Sequence, residues 1–399
     1  MSEKKVINRS DWVSNFTLIG KPVINDYTFK IDEKSEKSNW VYNALNLGVD
    51  SGEKFGTVYA ELMGGYSEEN ENKIFAHGKK DDGSDDFEKQ IIVDWNDRFD
   101  DDVLEEIGEL SFITVGLEKT DKGNTFYKKF LSAYDAIAYI KEHLTEDMVV
   151  NAKGNLKYSI YNDNVQVRKN ITSIVLSKVD DPANFKATFT QTILIDKDSA
   201  SLKAENIDKD KGVMYVDAKV LDFLKEYNGI KLVNAKGEEK GGQYPFNKKF
   251  EFAMDFSNEA ACKKIMDKLF KVKKGITQIT FEGEFIEGGA VVTVTLDDLP
   301  DDIKDLVIAG IYTEEEACAK CTANGSRERR MVLKKPQIKL VGEDKVPVIQ
   351  KFEEKYAEDD LVLDYLYNTN KDKADDDKPP FDIEEESGDD DSMSWLDNL

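Results

Sequence analysis

The chain is 399 residues long, enough for two or three domains with real cores. It sets 55 Lys and Arg against 80 Asp and Glu, a net charge of -25, which excludes a protein that coats duplex DNA or an anionic membrane with its whole surface, though not one with a local cationic groove. Three Cys give no disulfide framework, the start MSEKKVINRSDW has no apolar leader core, and no apolar run approaches the ~18 residues of a membrane helix, so the expectation is a soluble cytoplasmic protein.

In chain order, short β-type runs separated by Gly, Asn and Asp come first: 40–49, 55–66, 89–95 and 111–117. The spacing of Tyr134, Ile137, Lys141 and Leu144 then predicts an amphipathic helix over 131–144. Strands at 149–161 and 165–177 follow, and a second helix is predicted over 257–270 with Ser257 as its N-cap. Many strands with one helix predict a small β-barrel, and the order recurs. FYKKF (126–130) is echoed by FNKKF (246–250), GTVYAEL (56–62) by GVMYVDA (212–218), and VVNAKGNLKY around Gly154 by ITQITFEGEF around Gly283. We read a tandem duplication of one β-rich module, the first copy carrying an acidic, Gly-rich insert over 66–88.

Residues 371–399 hold twelve acids against three bases, a charge of -9, interrupted by Pro379, Pro380, Ser387 and Gly388. Such a segment cannot bury enough apolar area to offset its ordering entropy, and a disordered tail is expected. Phe381, Met393, Trp395, Leu396 and Leu399 are set among its acids.

Catalytic signals are sparse. His77, read as lying in a polar loop, and His143, near a helix end, are the only two His, which disfavours Ser-His-Asp or Cys-His chemistry. No phosphate loop or dinucleotide fingerprint occurs. Cys318 and Cys321 form a CxxC without a second pair of ligands, and are expected to pack in a helix rather than hold zinc. The expectation is a protein that is not an enzyme and needs no cofactor or metal; a metal-dependent nuclease is a distant third reading.

Binding signals are stronger. Period two across NLKYSIYNDNVQVRK places Leu156, Tyr158, Ile160, Val165 and Val167 inward and Lys157, Ser159, Tyr161, Gln166 and Arg168 outward. Cations beside an exposed ring suit single-stranded nucleic acid, since Lys and Arg neutralise phosphates while the ring stacks on a base. Lys169 joins this set, and FYKKF adds Tyr127, Lys128 and Lys129 at the surface, with Phe126 and Phe130 inward. In the second module Thr280, Glu282 and Glu284 should form an acidic face, whereas Arg327, Arg329, Arg330, Lys334, Lys335 and Lys339 make the most basic stretch of the chain.

A small barrel with cationic aromatic strands and an acidic, apolar-ended tail resembles the single-stranded DNA-binding proteins of bacteria and bacteriophages. Asp375, Asp376, Asp377, Lys378, Pro379, Pro380 and Phe381 are similar to the bacterial tail motif, departing from it in the inserted Lys378 and the internal placement. The resemblance implies a mainly β (α+β) chain of two tandem oligonucleotide-binding (OB-like) β-barrel modules, each with one helix: a first over 1–180, a second over 181–345, a helical or linking segment over 346–370, and the tail. It implies a phage protein that coats single-stranded DNA during replication and recombination. Its tail is expected to gate binding and to recruit polymerase, helicase, primase or recombinase through Phe381, Trp395, Leu396 and Leu399, with no membrane partner. The alternative is a virion component or an acidic nucleic-acid mimic, for which the net charge speaks.

Overall fold

The computed structural model describes residues 6–36, 38–162, 164–287, 299, 301–309, 311–314, 317–318, 329–342 and 344–366. The acidic tail, Arg327 and Cys321 therefore lie outside the described residues, while Cys318 is helical.

The chain is mainly β, with a closed β-barrel and few helices. Its strands are β1 (Ser14–Val23), β2 (Phe29–Lys34), β3 (Trp40–Asp50), β4 (Thr57–Ser67), β5 (Lys73–Lys79), β6 (Asp85–Asp94), β7 (Ile113–Lys119), β8 (Thr125–Phe130), β9 (Val150–Tyr161) and β10 (Asn164–Leu176). There follow β11 (Lys186–Ile195), β12 (Ile207–Asp208), β13 (Val213–Leu224), β14 (Glu226–Tyr227), β15 (Ile230–Lys231), β16 (Gly242–Ala253), β17 (Ile276–Glu287), β18 (Arg329–Pro336), β19 (Ile338–Val341), β20 (Val346–Ile349) and β21 (Lys351–Tyr356). The α-helices whose bounds fall among the described residues are α1 (Asp101–Glu105), α2 (Ala133–His143), α3 (Glu259–Ile265) and α4 (Asp301–Ile308). No helix among the described residues is long and apolar enough to cross a membrane.

Strand pairing closes a ring through β1, β3, β4, β10 and β9, with β4 and β10 parallel and every other pair antiparallel. A second ring runs through β11, β13, β16, β18 and β17, with β16 and β18 parallel. In each ring the fifth strand inserts between the third and the fourth, and a helix, α2 or α3, lies between strands three and four in sequence. The rings share one sheet because β1 pairs antiparallel with β11 from Ser14↔Gln191 to Ile19↔Lys186. Each of these first strands divides one edge between its own ring and its counterpart. Alternation buries Phe16, Leu18, Phe189 and Phe281 on the inner faces, and the resulting core is continuous across both rings.

Helix α2 begins where Ser132 Oγ accepts the Tyr134 N–H at 3.1 Å. Its buried stripe is Ala136, Ile137 and Ile140, joined by Leu144, so Lys141 stays outside the core. Helix α3 is capped by Asn258, whose Oδ1 accepts from Ala261 N at 3.0 Å, and not by the expected Ser257, which donates to Asp255 instead.

Three sequence expectations need correction. FYKKF lies on β8, a strand outside the ring, whereas FNKKF lies on β16, a third ring strand; GTVYAEL and GVMYVDA likewise occupy a third and a second strand. Such strings recur because half-buried strands all demand alternation, and only the Gly-centred pair marks equivalent positions, both on fourth strands. The insert is also longer than 66–88: the excursion between β4 and α2 includes β5 to β8 and packs its own small core of Ala76, Val93, Ile107, Phe112 and Leu131. Finally, 346–356, expected in a helical or linking segment, forms strands, and β21 pairs with β17.

Candidate functional site

The two rings meet at a cleft of about 360 Å³. One wall is the first half of β10, Asn164–Lys169, which leaves a tight hairpin whose Asn162 takes a positive φ of 47°. Tyr59 and Glu61 of β4 and Asn46 of β3 continue that side. The opposite wall comes from the second ring: Lys248 on β16, Phe285 and Glu287 on β17, and Arg329, Arg330 and Met331 on β18. Five cations thus converge against two carboxylates, a local reversal of the chain's overall sign.

Two of these cations are committed to holding the walls. Lys169 Nζ sits 2.7 Å from Glu287 Oε1, both side chains almost buried, and 5.0 Å from the centre of the Phe285 ring. Arg330 grips Glu251 through Nε at 2.7 Å and through a second nitrogen at 2.6 Å. Arg168, Arg329 and Lys248 make no ion pair among the described residues, so their charge is available to a ligand. Burial lowers the Lys248 ammonium below its ordinary range, and neighbouring Lys169 pushes the same way. Burial raises the Glu61 carboxyl, opposed by the positive charges of Arg168 and Lys169. Half-buried Tyr59 supplies a ring in the cleft, and Tyr161, 57% exposed, stands opposite cleft-lining Asn164 at the hairpin end.

The sequence-predicted residues separate into five groups. Arg168, Lys169, Arg329 and Arg330 come together in the cleft, with Tyr161 at its end. Lys157 is the cross-strand partner of Arg168, but its Nζ lies 3.6 Å from Asp222, a buried carboxylate of β13 that also accepts the Tyr158 N–H at 2.8 Å and approaches Arg9 at 3.8 Å. Lys157 is thereby part of the clamp between rings.

Lys334 and Lys335 line a separate pocket of about 510 Å³ against β11 and β17. There they lie 3.5 Å from Glu284 and 3.1 Å from Glu282, and Lys54 reaches Glu284 at 2.6 Å. The expected acidic face is neutralised from the neighbouring strand, and Thr280 turns into the core against Thr192 at 2.8 Å. Tyr127, Lys128 and Lys129 line neither pocket. Tyr127 is 56% exposed, Lys129 pairs with Glu109 at 2.6 Å, and Lys128 sits over the Tyr139 ring at 4.6 Å. Alternation forbids these three from sharing a face, and Phe126, expected inside, is 48% exposed. Arg327, Phe381, Trp395, Leu396 and Leu399 lie outside the described residues.

Lys248 and Tyr59 also line the cleft, and FNKKF and GTVYAEL, which carry them, show in sequence only a repeat and no binding signal. His77 sits in strand β5 and not in a loop. Its Nε2 lies 2.8 Å from Asp85 Oδ1 and its Nδ1 3.0 Å from Ser111 Oγ. That row ties the excursion together, since Asp85 also accepts the Leu110 N–H at 2.9 Å and Ser111 Oγ the His77 N–H at 3.1 Å. No group of three His, Cys, Asp or Glu among the described residues could hold a metal ion.

No protein-family model matches the chain, and no curated protein matches it. A solved structure of a deletion mutant of the single-stranded DNA binding protein from Thermus aquaticus is similar over 69% of this chain and 87% of that one. The identity is 9% and the TM-score 0.28, a likeness too loose to bear on function.

Proposed function

We propose that this chain is a non-enzymatic protein that binds single-stranded DNA with its two rings acting as tandem oligonucleotide-binding barrels. The observation that carries the reading is the cleft between them, where Arg168, Lys248 and Arg329 offer uncommitted charge beside Tyr59 in a chain of net charge -25. A groove of this kind tracks a phosphate backbone while a ring stacks on a base, so binding is tolerant of sequence and sensitive to salt. Concentrating the cations in a cleft also resolves the conflict with the overall charge, because a flexible single strand can enter where a rigid duplex meets the acidic surface around it.

The role we infer is coating of single strands during phage replication and recombination. Residues 371–399 enter this proposal through their sequence alone: an anionic segment competes with DNA for the cleft, and its Trp395, Leu396 and Leu399 are suited to docking on replication enzymes. The test is fluorescence anisotropy of a labelled oligo-dT of about 30 nucleotides, a length spanning several barrel footprints. The full chain and a chain ending at residue 370 are compared at two salt concentrations. Salt-sensitive binding that tightens on truncation supports both cleft and gate; binding unchanged by truncation removes the gate. Absence of binding by either removes the proposal and favours an acidic interaction protein, the second reading that the net charge of -25 supports.

A further inference from the structure

The segment between β18 and β21 is a two-stranded ribbon, β19 pairing with β20 and with no other strand among the described residues. Its register sets Ile338, Leu340, Pro347 and Ile349 on one face and Lys339, Val341, Val346 and Val348 on the other. Both faces meet solvent: Ile338 is 60% exposed, Leu340 62%, Val341 52% and Val346 53%. An isolated hairpin is marginal in water, and one with aliphatic side chains on both faces is a surface awaiting cover.

The two edges of this ribbon are not equivalent. Gln350 N donates to Gln337 O at 2.9 Å, which marks the foot of the ladder as a bonded pair. Bonded and unbonded pairs alternate in an antiparallel ladder, so Ile338↔Ile349 and Leu340↔Pro347 are unbonded and turn their backbone groups to the outer edges. The imide nitrogen of Pro347 agrees, since it has no hydrogen to give to Leu340. Along β20 the outer edge is therefore capped by a proline. Along β19 no strand among the described residues covers it, and it presents the N–H and C=O of Ile338 and of Leu340.

We propose that the open β19 edge pairs antiparallel with β19 of a second copy of this chain, giving a four-stranded sheet across a two-fold axis and a dimer that closes on itself. Three observations favour a second copy over another partner. The edge is short and self-complementary, as an isologous contact requires. Residues 338–349 carry two Lys and two acids, so this ribbon is a neutral point at which one chain of charge -25 can meet another. Ile338, Leu340 and Val341, all exposed, stand on the pairing strand itself, so each meets its counterparts across the new pair and adds apolar contact to the backbone bonds. The proposal is independent of the cleft and is tested without nucleic acid, so either can fail alone.

The experiment is sedimentation equilibrium of the full chain across concentration, joined to hydrogen exchange on the same samples. The expected result is a monomer–dimer equilibrium with the Ile338 and Leu340 amides gaining protection as dimer forms. Leu340→Pro removes an outward donor without touching the intraribbon ladder, and should weaken dimerisation about tenfold or more, the scale of losing a central contact. Pro347→Val uncaps β20 and should convert the closed dimer into longer assemblies. A monomer at all concentrations, or a dimer indifferent to both substitutions with no new protection in β19, overturns the proposal.

Discussion

Phe16 stands directly opposite Phe189 across the β1–β11 pair, and each faces a glycine of its own ring on its other side, Gly154 for Phe16 and Gly283 for Phe189. The four residues form one row through the centre of the shared sheet. Each ring needs the missing side chain, because both phenylalanines are 2% exposed and the glycines give their rings room. A Cβ on Gly283 would meet the Phe189 ring at 2.3 Å, while one on Gly154 would meet the backbone oxygen of Asn170 at 1.8 Å. Both Gly→Ala changes should destabilise by about 1–3 kcal/mol through overpacking, Gly154→Ala by more because a backbone yields less than a ring. Guanidinium unfolding measures the difference, and equal losses would show that β10 adjusts as readily as Phe189.

Adjacent residues on β10 should separate stability from binding. Removing Lys169 strands Glu287, whose side chain is 9% exposed, and should cost about 3–5 kcal/mol. Arg168 has no such partner among the described residues, so Arg168→Ala should leave stability within about 0.5 kcal/mol while weakening DNA binding. Thermal unfolding and anisotropy on the two variants check this, and a large Tm loss in Arg168→Ala would mean that the side chain is structural.

The alternation in NLKYSIYNDNVQVRK was legible because period two is local: Leu156 and Tyr158 are buried, and Lys157, Tyr161 and Gln166 are exposed. Helix α2 was equally local, although its Ser132 cap was not expected and the cap that was, Ser257, gives way to Asn258. That Arg168 and Arg329, 161 positions apart, share a cleft is fixed by the β1–β11 pairing, which no sequence pattern announces. Lys334 and Lys335 belonged to the same basic run as Arg329, yet the register shift between Glu282 and Gly283 in the β17–β18 ladder sets them against carboxylates. Charge density in a sequence does not reveal which cations are already paired. The clamp of Lys157 on Asp222 was hidden for the same reason, since its two halves come from different rings.

Salt titration should distinguish the cleft from the pocket beside β11. Each phosphate contact on a single strand contributes about 0.7 to the slope of log Kobs against log salt. Arg168→Ala and Arg329→Ala should each reduce the slope by about that amount, whereas Lys334→Ala and Lys335→Ala, whose partners are Glu284 and Glu282, should leave it nearly unchanged. The opposite ranking would move the binding track to the second ring's β17–β18 face.

The cleft should bind DNA more tightly as pH falls, and two groups set the sign. Burial raises the Glu61 carboxyl, so it takes up its proton at a higher pH than an ordinary glutamate and the cleft loses a negative charge early on acidification. Burial lowers Lys248, so on raising the pH it sheds its positive charge before ordinary lysines do. Both changes weaken phosphate binding as pH rises. Glu61→Gln should flatten the acidic limb and, near neutral pH, tighten binding roughly fivefold, the worth of about 1 kcal/mol for one charge at water-like screening. A raised carboxyl also means that the folded state holds the proton more tightly than the unfolded one. Ionised Glu61 therefore opposes folding at neutral pH, and the same substitution should raise Tm. Anisotropy and thermal melts of both proteins from mildly acidic to alkaline pH measure this. A Glu61→Gln protein that keeps the full pH dependence would place the titrating group elsewhere.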